Sequence, residues 1–377
     1  MKAPNHLYEQ TALVLQGGGA LGSYQAGAYE SLDQAGVYPD WFAGISIGAI
    51  NAAIMAGNAP KDRVERLRTF WEEITETFFH PPFGDLLPRQ SHAALSSLLG
   101  ATYGIPGFFV PQIPPGWLQT PINQDLLSYY DTTPLRNTLL RYIDFDRINA
   151  KDVRLSLGAV NVRTGNFAYF DNTQLTIKPE HIMASGALPP GFPPVRIDGE
   201  EYWDGGLVSN TPLAYVLDNS DGDDTLIFQI DLFSATGPMP HSMDMVEERR
   251  KDIVFSSRTR LNTDEFREKH ALKQAICELA KHLPKEKKSD PALAKFIELG
   301  ESREVSIVHL IYRPNHYNGP TKDYEFSRRS MREHWRAGLH DGQKTLAHDD
   351  WKTPPSDKQG IAVYDLTHKT TAKRTKK

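Results

Sequence analysis

Two short stretches near the start of the chain limit its fold more than anything else in it. "TALVLQGGGALG" and "WFAGISIGAINAAIMAG" each read as an apolar strand, a glycine turn and a helix, in immediate succession over residues 11–58. In the first helix Leu21, Tyr24, Ala28, Leu32 and Ala35 recur at steps of three and four, and Gly36 stops it. Strands alternating with helices in this way predict an α/β fold, a mostly parallel central sheet covered by helices.

Both turns carry chemistry in principle. "GGGALG", residues 17–22, offers successive backbone N–H groups at a helix N-terminus, a geometry that binds anions. The same spacing fits the dinucleotide fingerprint, which requires an acid after the second strand. Asp33 and Asp40 both precede that strand, so the order of elements argues against a nucleotide. The second turn is Gly-Ile-Ser-Ile-Gly, residues 44–48, and places Ser46 between an apolar strand and an alanine-rich helix. This is the pattern of a nucleophile elbow, in which glycines permit the sharp bend and the helix dipole stabilises negative charge on oxygen. Small residues would also serve a tight strand-to-helix turn with no chemistry at all.

A nucleophilic serine needs a base. His309 and His316 lie late in the chain, where a triad histidine belongs, but His309 falls inside an apparent core strand and His316 in "RPNHYNG". Asp204, in "YWDGGLVSN", is the other candidate, at a strand end where two glycines let a carboxylate approach a neighbouring turn. Asp-Gly-Gly is equally a good turn sequence, so both alternatives stay open on the residues alone.

The remaining chain divides by character. A charged helix after residue 60 runs into a Pro- and aromatic-rich insertion at about 78–131, of a length and composition that suit a lid or a binding wall. Phe78, Phe79, Phe108, Phe109 and Trp117 could line an acyl site there, or serve as core or a dimer interface. Thr132 or Thr133 is expected to cap a helix with Pro134 in its first turn and Leu135, Leu139, Leu140 and Ile143 on its buried face. "VRLSLGAV" and "FAYF" form an expected hairpin through "RTGN", "PEHIMASGAL" a short helix, and "TLIFQIDLF" and "VSIVHLIY" central strands. Boundaries follow at 11–235 for a catalytic domain, 236–365 for a helical region with a returning strand near 305–312, and 366–377 for a basic disordered tail.

A net charge of −5 gives no basic footprint for nucleic acid. The lone Cys277 excludes an internal disulfide, and the scattered histidines suggest no metal site. The apolar run Ala12 to Leu15 is too short for a signal-peptide core, and no run approaches the roughly 18 residues of a membrane span. A cytoplasmic protein without cofactor, in contact with membranes at most peripherally, is the expectation.

Together these motifs resemble the patatin-like phospholipases, a family of elbow hydrolases with a Ser-Asp dyad. "QGGGALG" is similar to the family's glycine-rich loop, "GISIG" to its elbow, and "DGG" with the downstream "SNTP" to its Asp-Gly-Gly motif, while "MASGALPPGFPPV" resembles the segment that precedes that motif. The resemblance covers about residues 11–215 and implies a three-layer α/β fold, with Ser46 as nucleophile and Asp204 as proton acceptor. It also implies an oxyanion hole from the N–H groups of Gly17, Gly18, Gly19 and Ala20, with Gly22, Gly44, Gly48, Gly205 and Gly206 as motif glycines. Many members carry Arg or Lys where this chain has Leu21.

The C-terminal third resembles a smaller bacterial branch with an extra domain of unknown function, often associated with 3-hydroxybutyrate dehydrogenases. The implied activity is cleavage of lipid carboxylic esters, of phospholipase A or lysophospholipase type. Alternatives are an esterase for 3-hydroxyacyl or short-chain esters, or a weakly active scaffold for a dehydrogenase-type partner, with a homo-oligomer also open. A dyad of this kind requires burial to lift the aspartate from its usual acidity toward a useful base.

Overall fold

The computed structural model describes residues 8–75, 88–115, 127–220, 224–284, 293, 304–314, 319, 321–355 and 360–367. Strand β1 (Gln10–Leu15) leads through a 3-10 turn, Gly19–Gly22, into α1 (Ser23–Gln34). β2 (Trp41–Ile45) leads directly into α2 (Ile47–Ala56), and α3 (Arg63–Ile74) follows. The insertion contributes α4 (Arg89–Tyr103) and a small antiparallel pair, β3 (Val110–Pro111) with β4 (Tyr130–Asp131). After it come α5 (Thr133–Tyr142), α6 (Phe145–Asn149), the hairpin β5 (Arg154–Asn161) and β6 (Phe167–Asp171), α7 (Pro179–Ser185), and a second hairpin, β7 (Val195–Ile197) with β8 (Glu200–Asp204). The chain closes with α8 (Leu213–Asn219), β9 (Thr225–Asp231), α9 (Met243–Phe255), α10 (Thr259–Lys281), β10 (Val305–Ile311), α11 (Arg328–Leu346) and β11 (Ile361–Tyr364).

These strands form one mixed sheet in the order β11-β10-β9-β1-β2-β5-β8-β7, with β6 also paired to β5. From β11 to β5 every pairing is parallel; beyond β5 the direction reverses. Helices cover both faces of the parallel part, which is why its strands read as unbroken apolar runs rather than alternating ones. Leu13, Leu15, Phe42 and Phe228 pack under α1, α2 and α11, while Val14, Ala43, Ile227 and Ile307 face the side of α8.

The C-terminal third therefore supplies two strands of the same sheet. Its last long helix, α11, lies on α1 with backbone nearly touching backbone. A Cβ on Gly27 would strike the Trp335 carbonyl, and one on Gly338 the Tyr24 carbonyl. Tyr24 Oη donates to Asp341 Oδ2 at 2.8 Å along this seam. Leu366 and Thr367 still pack, and the tail from 368 lies outside the described residues.

Two local expectations need correction. Neither Thr132 nor Thr133 caps α5 through its side chain: Asp131 Oδ1 accepts the Thr133 N–H at 2.8 Å and its hydroxyl at 2.7 Å, because a carboxylate is the stronger acceptor for a helix N-terminus. Leu135, Leu139 and Ile143 are buried, each contributing about 1.5–3 kcal/mol, but Leu140 is 48% exposed, one position off the apolar stripe.

Candidate active site

The glycine loop is held at both ends. Gly17 N–H donates to the Asn210 carbonyl at 3.1 Å, and Asn210 Nδ2 returns a bond to the Gly17 carbonyl at 3.1 Å. The approach is so close that a Cβ on Gly17 would strike Asn210 Oδ1. At the far end Ala20 N–H donates to the Asp323 carbonyl at 2.9 Å. Of the four expected N–H donors, Gly17 and Ala20 are thus already engaged, whereas those of Gly18 and Gly19 donate to no partner among the described residues. Leu21 is fully buried in the core beside this loop. A cation at that position would have to be taken out of water, which is a physical reason for leucine here.

Ser46 sits at the N-cap of α2 with φ +56° and ψ −125°, a conformation strained by about 1–3 kcal/mol for a residue with a Cβ. What holds it is Ser185, at the end of α7. Ser46 N–H donates to both the carbonyl and the Oγ of Ser185 at 3.1 Å, and Ser185 Oγ donates to the Gly158 carbonyl at 2.6 Å. The flanking glycines have no substitute: a Cβ on Gly44 would strike the Gly48 carbonyl, and one on Gly48 would lie 2.5 Å from the Leu15 carbonyl oxygen. Gly22 is similarly confined, since a Cβ there would lie 2.5 Å from Ile47 and 2.9 Å from Trp71.

Asp204 ends β8. Ile45 is in register with Gly158 of β5, and Asp204 with Ala159, so the reversal of strand direction brings the ends of β2 and β8 to the same level. Gly205 makes this approach feasible, since a Cβ there would lie 2.7 Å from the Gly158 carbonyl. The carboxyl is 2% exposed, accepts the Gly206 N–H at 2.7 Å and lies near enough to the Ser46 side chain to be influenced by it. Burial pushes its pKa up to about 7, against the opposing pull of the Ser46 side chain and the Gly206 N–H.

The histidine alternative finds no support in position. His309 lies on β10, with β9 and β1 between it and β2, and its Nε2 is 2.7 Å from Asp231 Oδ2 in a buried cluster with Gln229 and Ser257. His316 lies outside the described residues. Among the described residues no group of three or more His, Cys, Asp or Glu is arranged to hold a metal.

Ser46 and Asp204 open onto a cavity of ≈ 380 Å³. Part of its lining is aromatic: Phe109 packs on Tyr130 and Phe192 at centroid distances of 4.7 and 5.1 Å, and Phe108 on Phe326 at 5.9 Å. Phe108 and Phe109 are therefore both core and cavity lining, while Phe78, Phe79 and Trp117 lie outside the described residues. Several important residues were not singled out from the sequence. Ser185 stands in "MASGAL" and Phe192 in "PPGFPP", where the local pattern marks the segments without marking these side chains. Asp323 and Phe326 come from a stretch with no motif.

A strained serine at a strand-to-helix elbow, in a mixed sheet covered by helices, is the arrangement that elbow-type acyl hydrolases share. The family model described as patatin-like phospholipase matches residues 13–217, and one described as patatin phospholipase matches residues 253–358. The chain belongs to the patatin-like phospholipase family, and with it to the lipid acyl hydrolases. Among solved structures, VipD from Legionella pneumophila aligns with a TM-score of 0.41 at 14% identity, over 97% of this chain and 72% of that one. No curated protein matches it.

Proposed function

We propose that the protein cleaves lipid carboxylic esters through a Ser46–Asp204 dyad and an acyl-enzyme intermediate. The observation that carries this reading is a buried Asp204 brought close to the strained Ser46, both lining one largely apolar cavity.

In the first half-reaction ionised Asp204 takes the hydroxyl proton as Ser46 Oγ bonds to the ester carbonyl carbon. The carbonyl oxygen becomes an oxyanion, and the N–H groups of Gly18 and Gly19 are the donors left to receive it. Collapse breaks the ester C–O bond, and Asp204 returns its proton to the leaving alcohol. In the second half-reaction Asp204 removes a proton from water, the hydroxyl attacks the acyl carbon, and collapse releases the fatty acid as the proton returns to Ser46.

The cavity favours a plain acyl chain over a 3-hydroxyacyl one. Several of its polar side chains are already paired: Ser97 Oγ donates to Thr321 Oγ1 at 3.2 Å and Tyr130 Oη to the Ala101 carbonyl at 2.9 Å. A substrate hydroxyl placed there would lose its water with little in return. Leu207 and Val208 beside Gly206, and Ile253 and Val254 beside Phe255, are exposed next to residues that line the cavity, which supports peripheral contact with a lipid surface. Among the described residues no helix is long and apolar enough to cross a membrane.

The test is a panel of phospholipid, lysophospholipid, short p-nitrophenyl esters and oligomeric hydroxybutyrate, with Ser46→Ala as control. Fatty acid released from the lipids by the wild type alone is the expected result. Turnover confined to oligomeric hydroxybutyrate, or equal rates with Ser46→Ala, would overturn the reading.

A further inference from the structure

The glycine loop contains three consecutive glycines, and a backbone without Cβ atoms has little preference of its own for one orientation of its N–H groups. Something outside the loop must select that orientation. Asn210 does so at Gly17, from within the segment that matches the main family model. At the other end the contacts come from the C-terminal third.

Ala20 N–H donates to the main-chain carbonyl of Asp323 at 2.9 Å, and Gly19, at φ +54°, lies so near that a Cβ would strike the same oxygen. The Asp323 carboxylate, itself buried, meets Lys251 Nζ of α9 at 2.6 Å. Lys251 lies 4.8 Å from the Tyr324 ring centroid, and the adjacent Lys322 is paired with Glu248 and Asp252 of the same helix. The segment carrying Asp323 is thereby fixed to α9 on one side while it touches the loop on the other. His334 of α11 stands behind the loop, buried against the Tyr312 ring at 5.2 Å and interacting with the Ala20 backbone. Thr321, Asp323, Tyr324 and Phe326 also line the cavity that Ser46 faces.

We propose that Asp323, anchored by Lys251, is a positioning residue that holds the Gly18 and Gly19 N–H groups in register with the oxyanion formed on the ester carbonyl that Ser46 attacks, so that the C-terminal third forms part of the catalytic apparatus. The inference rests on the acyl-hydrolase reading above. It acts on the transition state rather than on substrate binding, since a displaced donor loses the developing oxyanion but leaves the acyl cavity in place.

The test uses the full chain carrying Lys251→Met, Asp323→Asn, the double variant, and Lys251→Arg, with Ser46→Ala alongside. Turnover of a p-nitrophenyl ester, the rate of Ser46 labelling by a serine-reactive phosphonate, and the melting temperature are measured together. The two single variants should lower kcat and the labelling rate together by about 10- to 100-fold, the range a small misplacement of reacting groups produces, with KM nearly unchanged. The double variant should lose no more than the worse single one, because both act through one pair, and Lys251→Arg should recover most of the rate.

A lower melting temperature with unchanged kcat would reduce the pair to a structural tie, and raised KM with unchanged kcat would make it only a cavity wall; either overturns the proposal. If Lys251→Met does not fold, Lys251→Gln decides by the same kcat and KM split. Turnover surviving in Ser46→Ala would instead sink the underlying acyl-hydrolase reading.

Discussion

Ser46 and Asp204 come together across the middle of β5, where a parallel strand and an antiparallel one end at the same level and the serine lies near a carboxyl almost sealed from water. Among the described residues no histidine lines the cavity that the two share, and the proposed proton transfer therefore runs directly between them.

Replacing either partner should end turnover and leave the fold intact. Ser46→Ala and Asp204→Asn are each expected to lower kcat by roughly a thousandfold or more, with a native circular dichroism spectrum. Labelling by a serine-reactive phosphonate should vanish in the first and become slow in the second. Full activity in Asp204→Asn would remove the dyad from consideration.

The rate should follow the ionisation of Asp204. Its carboxyl must be charged to accept a proton, and its pKa is pushed up to about 7 by burial. The kcat/KM of a neutral ester is therefore expected to rise about tenfold per pH unit on the acid side and level off above that midpoint. A midpoint near 4 would mean that the carboxylate is solvated in the working enzyme.

Stability should move the opposite way. Because the folded carboxyl holds its proton more tightly than the ordinary value of 3.8, its contribution to stability is fully present below that value and lost as pH rises through about 7. Asp204→Asn cannot ionise, so it should gain on the wild type between pH 4 and 8, by an amount on the order of 4 kcal/mol at most. Thermal melts of both proteins across that range would measure it, and parallel curves would contradict the burial argument.

His309→Ala should separate structure from chemistry. Removing the imidazole leaves Asp231 without its partner at 2.7 Å in a buried cluster, a loss of about 1–3 kcal/mol. Turnover by the folded protein should stay within a fewfold of wild type. Loss of activity without loss of stability would restore the triad alternative.

Phe192 should set preference for the acyl chain. Its ring contacts Phe109 and Phe108 at 5.1 and 6.2 Å in the cavity wall. Phe192→Ala is expected to raise KM for long-chain esters while p-nitrophenyl acetate is hydrolysed as before, since a two-carbon acyl group buries little surface against an apolar wall. A uniform change across chain lengths would place Phe192 elsewhere in the reaction.

Local pattern made the first two strand–turn–helix units readable, because β1 and β2 are short apolar runs and the glycines after them have no alternative use. The β5–β6 hairpin and α7 were readable for similar reasons, as a turn signal and a helix signal beside alternating residues. What could not be read is what depends on distant packing. Ile361–Tyr364 is only four residues long and becomes a strand because β10 offers an edge. Asp131 displaced the threonines as the α5 cap because a carboxylate one position earlier could reach the same N–H groups. At the site, glycines and the two reactive side chains carry motifs, but Ser185 and Asp323 act through hydrogen bonds whose partners are remote in sequence, and the Asp323 bond to the loop is made by a main-chain carbonyl that any residue possesses.

The seam between α1 and α11 bears on whether the two segments that match family models can be treated as separate modules. Gly27, Gly338 and Gly342 let the two helices approach so closely that a Cβ on any of the three would strike the facing helix. Since β10 and β11 also extend the sheet that β1 and β2 begin, a boundary drawn near residue 235 on the sequence cuts through one folded unit rather than between two.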